Sequence, residues 1–332
     1  MRIPLTSMTK TATVAALLLI TSVTSAQVTM KEVADAFNQG VQFASTNPEL
    51  AVKSFEQAIK YADEVGGDEA LGLRNQAMAQ IPKLYFDHAR ALVSKNDLNG
   101  ALAQLKNCIA AGEKYNMPQY ANNARPTISA IYLSLGNAAF KSKNYTEAIS
   151  NFSQSTEYNP RAIKAHLGKV LVFNEQGLEA EMVGAAIDGM NSNPVPNDMA
   201  VIEDIKRVVS NFYFNSAQTT MQAKNYSTTE SNLLNAIKFG MDANPIVYYQ
   251  LGLARMSMNK WDEAVEALME SVDLDEAAAA ADKAKYFFNL GKSYEALGNA
   301  QKACESYKKA LHGEFAQAAK FQIENVLKCV SE

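Results

Sequence analysis

The sequence is poor in the residues from which catalytic and metal-binding sites are usually built. Its 332 residues include three histidines, three cysteines and one tryptophan. No two cysteines form a Cys-X-X-Cys pair, which excludes zinc-ribbon and thioredoxin-like motifs. His-Glu-X-X-His, Gly-X-Ser-X-Gly and EF-hand motifs are all missing from the sequence. The sequence therefore predicts a protein that is not an enzyme and that has no cofactor and no metal site.

Glycine and proline are also scarce, and positive charge is not in excess. The chain has 16 Gly and 9 Pro, and it is rich in Ala, Leu, Glu, Lys and Gln, which favour helices. Its net charge of −4 argues against a nucleic-acid partner, because binding to phosphates requires a basic surface. After the N-terminal segment, no apolar run is long enough to form a transmembrane helix.

The N-terminal segment has the pattern of a secretory signal peptide. The basic residues Arg2 and Lys10 precede a short apolar run over 12–20, and small residues follow as far as Ala26. That run is too short to span a bilayer as a mature helix. We therefore predict a signal peptide at residues 1–26 that is cleaved after Ala26, and an exported protein with the periplasm as its location.

A spacing of twelve residues recurs along the rest of the chain. In the clearest copy, Gly252 is followed twelve residues later by Ala264, with Trp261 three residues before that alanine. We call the first residue of each such pair the anchor. The other pairs are Gln39 with Ala51, Ala89 with Ala101, Gly136 with Ala148, Gly168 with Ala180, Ala217 with Thr229, and Gly291 with Ala303. Small side chains allow two helices to pack closely, so each pair predicts a helix-turn-helix unit.

Turn-forming residues fall between these predicted helices. Asn144-Tyr145 and Asn225-Tyr226 are expected to supply the turn inside a unit. Prolines are expected to mark the start of first helices, at Pro160 and Pro245 and also at Pro82 and Pro126.

Three intervals between anchors are longer than the others. We expect paired extensions of the helices there, around 61–80, 112–125 and 194–207. An alternative is a division into two subdomains near 191–197, where the sequence is polar and rich in proline.

The pattern resembles the tetratricopeptide repeat (TPR), a helix-turn-helix unit of about 34 residues. Leu-Gly pairs at Leu135-Gly136, Leu167-Gly168, Leu251-Gly252 and Leu290-Gly291 match its first signature, and Ala148, Ala264, Ala303 and Pro160 match the others. The resemblance implies an all-α fold, a right-handed α-solenoid of about seven TPR-like repeats over 27–332. A C-terminal capping helix is expected to end it, with the apolar stripe Phe315, Ala319, Ile323, Val326 and Val330.

The three cysteines lie far apart in the sequence. Cys304 and Cys329 fall in the last two helical patterns and either form a disulfide, which export would permit, or remain free. Cys108 is predicted to be a small buried apolar residue.

The resemblance also implies where a partner binds, because first helices line the concave face in this family. The residue three positions before each anchor is expected to contribute to an apolar row, which comprises Phe86, Leu133, Ala165, Phe214, Tyr249 and Phe288. The residue one position after each anchor is expected to contribute to a more polar row, which comprises Arg90, Asn137, Lys169, Gln218, Leu253 and Lys292. Either these rows form a partner-binding groove, or the aromatics only pack between neighbouring helices.

Some members of the family bind a terminal carboxylate with paired Lys and Asn on adjacent first helices. That pattern does not carry over here, because Phe86, Phe214, Tyr249 and Phe288 occupy the positions where lysine would be needed. A more hydrophobic ligand is favoured.

These observations favour a non-enzymatic scaffold or adaptor of the cell envelope that binds a protein or peptide partner. The chain resembles exported repeat proteins of Gram-negative bacteria such as the Bacteroidota. Two alternatives stay open: a protein that binds glycans or small molecules through the same aromatic face, and a scaffold that docks partners on its convex edge or associates with itself. The sequence identifies neither the partner nor the oligomeric state.

Overall fold

The computed structural model describes residues 27–329, so the predicted signal peptide and Val330 lie outside the described residues. Within that range the chain is α-helical without any strand, and it forms seven consecutive helix pairs followed by a short helix. The pairs are α1 Met30–Phe43 with α2 Pro48–Val65, α3 Gly67–Ser94 with α4 Leu98–Lys114, α5 Pro118–Lys141 with α6 Tyr145–Tyr158, α7 Ile163–Gln176 with α8 Glu179–Met190, α9 Met199–Gln222 with α10 Tyr226–Ala236, α11 Pro245–Ser257 with α12 Trp261–Leu274, and α13 Ala280–Ala296 with α14 Ala300–Lys309. The short helix is α15, Ala316–Phe321. The predicted all-α helical repeat fold is confirmed.

The chain divides into two compact units, Met1–Ala121 and Asn122–Glu332. The division falls within α5 and not at the polar segment 191–197. Each unit has cores of its own: Phe55 and Ile81 are among the fully buried residues of the first, and Phe152 and Leu268 are among those of the second. None of the helices described over 27–329 combines the length and apolarity needed to cross a membrane.

The turn inside each repeat has a nearly constant geometry. The residue seven positions after the anchor has a positive φ in five repeats, at Asn96, Lys143, Lys224, Asn259 and Gly298, and the fourth repeat has its positive φ at Gly177. The next residue begins the second helix as its N-cap, and at Asp97, Asn144, Asn225 and Asn299 its side-chain oxygen accepts a backbone N–H from three residues further on. Such caps satisfy an N–H group that the helix leaves unpaired. The turns predicted at Asn144 and Asn225 are confirmed.

The predicted anchor of the first repeat is wrong by one residue. Gln39 is exposed, whereas Gly40 is buried. A Cβ placed on Gly40 would lie 2.7 Å from the ring of Phe55 in α2. The absence of a side chain at Gly40 is therefore what allows α1 and α2 to approach each other.

The fourth repeat is displaced by two residues from its predicted register. Ala180, the expected partner of Gly168, is exposed, and Met182 is buried in its place. The left-handed turn residue Gly177 is seven positions after Val170, which makes Val170 the anchor. Gly168 packs instead against Phe152 of the preceding repeat.

The first helices of three repeats are extended. They are α3 with 28 residues, α5 with 24 and α9 with 24, compared with 13 in α11. The paired extension is confirmed for α2 with α3 and for α4 with α5. It is wrong at 194–207, because α8 has only 12 residues and α9 alone is long. Pro82 and Pro126 do not begin helices but lie inside α3 and α5, so each leaves one carbonyl of the preceding turn without its usual N–H donor.

The C-terminal segment covers the last repeat in a register that differs from the predicted stripe at one position. Ala319 is buried, and Ile323 and Leu327 pack on the core of α14. Val326 is 46% exposed, because a π-helical turn over Gln322–Val326 brings Leu327 to the buried face. A disulfide joins Cys304 of α14 to Cys329, with the two Cα atoms 5.8 Å apart.

Candidate functional site

The apolar row of the second unit lies on its first helices and is half-buried. Leu133, Phe214, Tyr249 and Phe288 each pack against a buried core, and each keeps part of its side chain exposed. The ring of Phe288 lies 5.5 Å from that of Tyr307 and 5.3 Å from that of Phe315. These side chains therefore pack between neighbouring helices and also contribute to the surface.

Tyr249 is the row residue with the most polar contacts. Its ring meets that of Tyr286 edge-on at 5.3 Å, and Asn289 Nδ2 donates to its hydroxyl at 3.3 Å. The Nζ of Lys285 lies 5.7 Å from the ring centroid of Tyr249. Burial raises the pKa of the Tyr249 hydroxyl above its ordinary value, although the hydrogen bond from Asn289 lowers it. The side chain thus stays neutral and fixed in orientation.

The polar row is exposed at most positions. Asn137, Gln218 and Lys292 are exposed, and Leu253 is half-buried. In the first unit, Phe86 is half-buried and Arg90 is exposed on α3. These two residues belong to a different compact unit from the rest of the predicted site.

The shifted register of the fourth repeat changes two predicted site residues. Ala165 is fully buried in the core around Phe152 and does not line a surface. Lys169 is half-buried. Burial lowers the pKa of its ammonium group, while the carboxylate of Asp188 in α8 raises it. With Val170 as anchor, the positions equivalent to the two rows are occupied by Leu167 and Leu171.

His166 has a structural role. It is 6% exposed, and its Nε2 lies 3.2 Å from the carbonyl oxygen of Pro160 in the turn before α7. Burial lowers the pKa of the imidazole, despite the opposing effect of that carbonyl. A neutral His166 therefore holds the turn. Within residues 27–329, no group of three His, Cys, Asp or Glu residues is placed to hold a metal ion.

Three first helices of the second unit, α9, α11 and α13, share a cleft of about 480 Å³. Met221, Leu253 and Met256 supply apolar walls to it. Two aromatic residues that begin second helices, Tyr226 and Trp261, also line it. The structure thus brings together two of the predicted site residues, Leu253 and Lys292, in this cleft.

Sequence reasoning missed most of the remaining cleft residues. Met221 and Met256 lie four positions after their anchors, and Gln222 and Ser257 lie five after. Residues four positions apart lie on the same face of a helix. The spacing from the anchors and from the residues that follow them could therefore have identified these four cleft residues. Trp261, three residues before Ala264, also borders the cleft.

Comparison with known protein families identifies the repeat. One model described as Tetratricopeptide repeat matches residues 246–277 and 284–311, which are the sixth and seventh helix pairs. A second model with the same description matches residues 133–188, which include the last part of α5 and extend into α8. The chain contains tetratricopeptide repeats. Proteins built from TPR units generally mediate protein–protein interactions, and as a class they are generally not enzymes.

Solved structures of TPR proteins are similar to parts of this chain. A crystal structure of MamA shares 17% identity over 61% of this chain and 98% of its own length, with a TM-score of 0.31. A structure of YrrB, described as a TPR protein with an unusual peptide-binding site, shares 16% identity over 59% of this chain and 88% of its own, with a TM-score of 0.31. No curated protein sequence matches the chain.

Proposed function

We propose that this TPR protein is a non-enzymatic scaffold or adaptor of the cell envelope, which binds a partner polypeptide along the first helices of its second unit. The observation that carries the proposal is the half-buried row of Leu133, Phe214, Tyr249 and Phe288. Partly exposed aromatic side chains that are already held by their neighbours lose little conformational entropy on binding. They are also the residues most enriched at the energetic centres of protein interfaces.

Replacing Phe214 and Tyr249 together by alanine is expected to lower the affinity for the partner by at least about tenfold. The full chain with an affinity tag would be incubated with envelope extract, and bound proteins would be quantified by mass spectrometry. A matched control replaces Tyr158 and Tyr248, which are half-buried tyrosines outside the row. The control variant is expected to bind the partner as the wild type does. Circular dichroism would verify that both variants remain helical.

Retention of every captured protein by the Phe214→Ala, Tyr249→Ala variant would exclude the row as the binding surface. Self-association would instead appear in analytical ultracentrifugation. The glycan-binding alternative is favoured by one observation: Tyr226, Trp261 and Asn289 line the same cleft. A panel of sugars would then raise the melting temperature, because ligands that bind only the folded state stabilise it.

The proposed location is the periplasm, after removal of residues 1–26. The basic, apolar and small-residue segments that end at Ala26 support it. The disulfide between Cys304 and Cys329 supports it independently, because disulfides persist in oxidising compartments. A Gram-negative and Bacteroidota-like source is part of the same proposal.

Export predicts a mature chain that begins at Gln27. Edman degradation of the protein released from the periplasm would give that N-terminus. Alkylation before lysis would leave Cys304 and Cys329 unmodified until a reductant is added. Cys108 is buried and its thiol pKa is raised to about 11 by burial, so it should resist alkylation in the folded chain. A protein that starts at Met1, with all cysteines reduced, would contradict export.

A further inference from the structure

The last repeat is covered by a segment that has little helical stability of its own. We call this segment, residues 313–329, the cap. Its helix α15 has six residues, of which only Ala319 is buried, whereas an isolated helix needs about 12–15 residues to be even marginally stable in water. Within residues 27–329, no donor reaches the buried side-chain oxygen Oε1 of Gln322, which is a further cost to the closed cap. The cap therefore depends on what attaches it to α14.

The non-covalent attachment consists of a few apolar side chains. Ile323 and Leu327 are both half-buried and pack on the core around Tyr307. The ring of Phe315 lies 5.3 Å from that of Phe288. Opening of the cap would uncover this apolar end of the last repeat, and exposure of apolar surface to water costs free energy. Packing thus favours the closed cap, but over a small contact area.

The covalent attachment is the disulfide at the far end of the cap. It joins Cys304 in α14 to Cys329, 25 residues later in the sequence. A crosslink that closes a loop of this length restricts the conformations of the open segment. It is expected to disfavour opening of the cap by a factor of about a hundred or more. The disulfide is therefore the largest single constraint on the position of the cap.

This disulfide is accessible to a thiol reagent. Both cysteines are half-buried, and both line a surface cleft of about 670 Å³. Lys308 and Lys328 line the same cleft, and Glu305 is the one carboxylate among its described lining residues. Cationic side chains stabilise thiolates, which are the attacking and leaving groups of thiol–disulfide exchange. Exposed disulfides are also the ones that exchange readily, in contrast to structural disulfides in a core.

We infer that the Cys304–Cys329 disulfide is a redox-controlled latch that a dithiol reductant opens. A thiolate of the reductant attacks one sulfur, so that the S–S bond of the protein breaks and a mixed disulfide forms. The second thiol of the reductant then attacks the mixed disulfide, which releases the protein and completes a disulfide in the reductant. Two electrons and two protons pass to the protein, which then has free thiols at Cys304 and Cys329.

Reduction leaves the cap held by packing alone. The cap then opens part of the time and uncovers Phe288 and Tyr307, which lie under it in the closed state. Reoxidation by a disulfide-containing oxidant restores the closed form. This inference goes beyond the proposed function and does not require any partner.

The first experiment tests whether the folded chain is reduced. The full chain would be treated with dithiothreitol without denaturant, alkylated at intervals and weighed by mass spectrometry. Two alkyl groups are expected, at Cys304 and Cys329. The free thiol of Cys108 is buried and reports on global unfolding, so it should stay unmodified throughout. Alkylation of Cys108 in step with the other two cysteines would overturn the latch, because reduction would then require unfolding of the chain.

The second experiment measures opening of the cap by hydrogen exchange. In the reduced protein, amide hydrogens of the cap are expected to exchange about a hundredfold faster than in the oxidised protein. A smaller increase is expected in α14, and none in the first six repeats. The variant with both Cys304→Ser and Cys329→Ser should exchange rapidly without reductant. The matched control Cys108→Ser should exchange slowly until dithiothreitol is added.

Two results of the exchange measurement would overturn the inference. One is a cap that exchanges within about threefold of the oxidised rate after reduction, since packing alone would then keep it closed. The other is an acceleration of similar size in all seven repeats, which would show a disulfide that stabilises the whole chain and does not control the cap.

Discussion

Replacing Phe152 by alanine is expected to lower the free energy of unfolding by about 3 to 5 kcal/mol, as is usual for a fully buried aromatic side chain. Phe152 lies in α6 and is 0% exposed. Its ring occupies the space that two glycines leave open, Gly136 on α5 and Gly168 on α7. A Cβ placed on Gly136 would be 2.6 Å from Cδ1 of the ring, and one placed on Gly168 would be 2.5 Å from Cζ.

The two glycines explain why the cavity left by Phe152→Ala would strongly lower the free energy of unfolding. A glycine has no side chain that can move into the space vacated by the ring, so the helices themselves would have to shift to fill it. Because repeats contact mainly their neighbours in sequence, the destabilisation should be concentrated in the third and fourth repeats. Hydrogen exchange would then show lost protection in α5, α6 and α7, with a smaller change in α13.

The matched control is Phe321→Ala in α15, since Phe321 is 56% exposed and its removal should change stability by no more than about 0.5 kcal/mol. Chemical denaturation followed by circular dichroism measures both variants. The complementary change Gly168→Ala should also lower the free energy of unfolding of the wild-type chain. It should lower that free energy less in a Phe152→Leu background, because the effects of substitutions at two residues in contact are not additive. A loss below about 1 kcal/mol for Phe152→Ala would contradict this packing.

Replacing Glu230 by glutamine is expected to destabilise the fifth and sixth repeats by about 3 kcal/mol. Glu230 on α10 accepts from Arg255 Nε of α11 at 2.8 Å and from Lys260 Nζ, at the start of α12, at 2.6 Å. The Glu230 side chain is 12% exposed and that of Arg255 is 15% exposed. Arg255 would remain largely buried but would lose its main anionic partner. Removing one partner of a buried ion pair is strongly destabilising, because the remaining charge is buried without compensation.

The same pair gives stability a defined dependence on pH. Burial raises the pKa of Glu230, but the hydrogen bonds from Lys260 and Arg255 outweigh it, so that the pKa is below its ordinary value of 4.5. A carboxylate with a depressed folded-state pKa stabilises the fold above the unfolded-state pKa, and that contribution is lost as pH falls through the folded-state value. The stability difference between wild type and Glu230→Gln should therefore be full at neutral pH and should shrink below about pH 4.5.

Glu263→Gln is the matched control for this prediction. The Glu263 carboxylate lies 3.8 Å from Arg255 Nε and 3.7 Å from Lys260 Nζ, but its side chain is 50% exposed. Its removal should cost less than about 1 kcal/mol, as for exposed ion pairs. Equal losses for Glu230→Gln and Glu263→Gln, or a Glu230 effect that does not change with pH, would show that the buried pair does not stabilise the structure as described.

The helical repeat itself was predictable because its signals are local. A small residue, a turn and a small residue twelve positions later specify two helices in contact. The asparagines at Asn144 and Asn225 cap the second helix through atoms only three residues away. Interactions of this range are encoded by neighbouring residues, so a single sequence is enough to identify them. All the site residues named from the sequence follow from the same spacing, because each lies three positions before or one position after an anchor.

The tertiary structure decided the features that depend on residues distant in the sequence. Gly168 looked like the anchor of its own repeat, but it packs against Phe152 of the preceding one, and only the three-dimensional contact distinguishes the two. Leu327 replaced Val326 in the terminal stripe because a π-helical turn changed the register. The cleft at Asn289 requires three helices to converge. Sequence spacing determined the helix pairs and their turns, whereas packing between pairs determined which side chains are left exposed to bind.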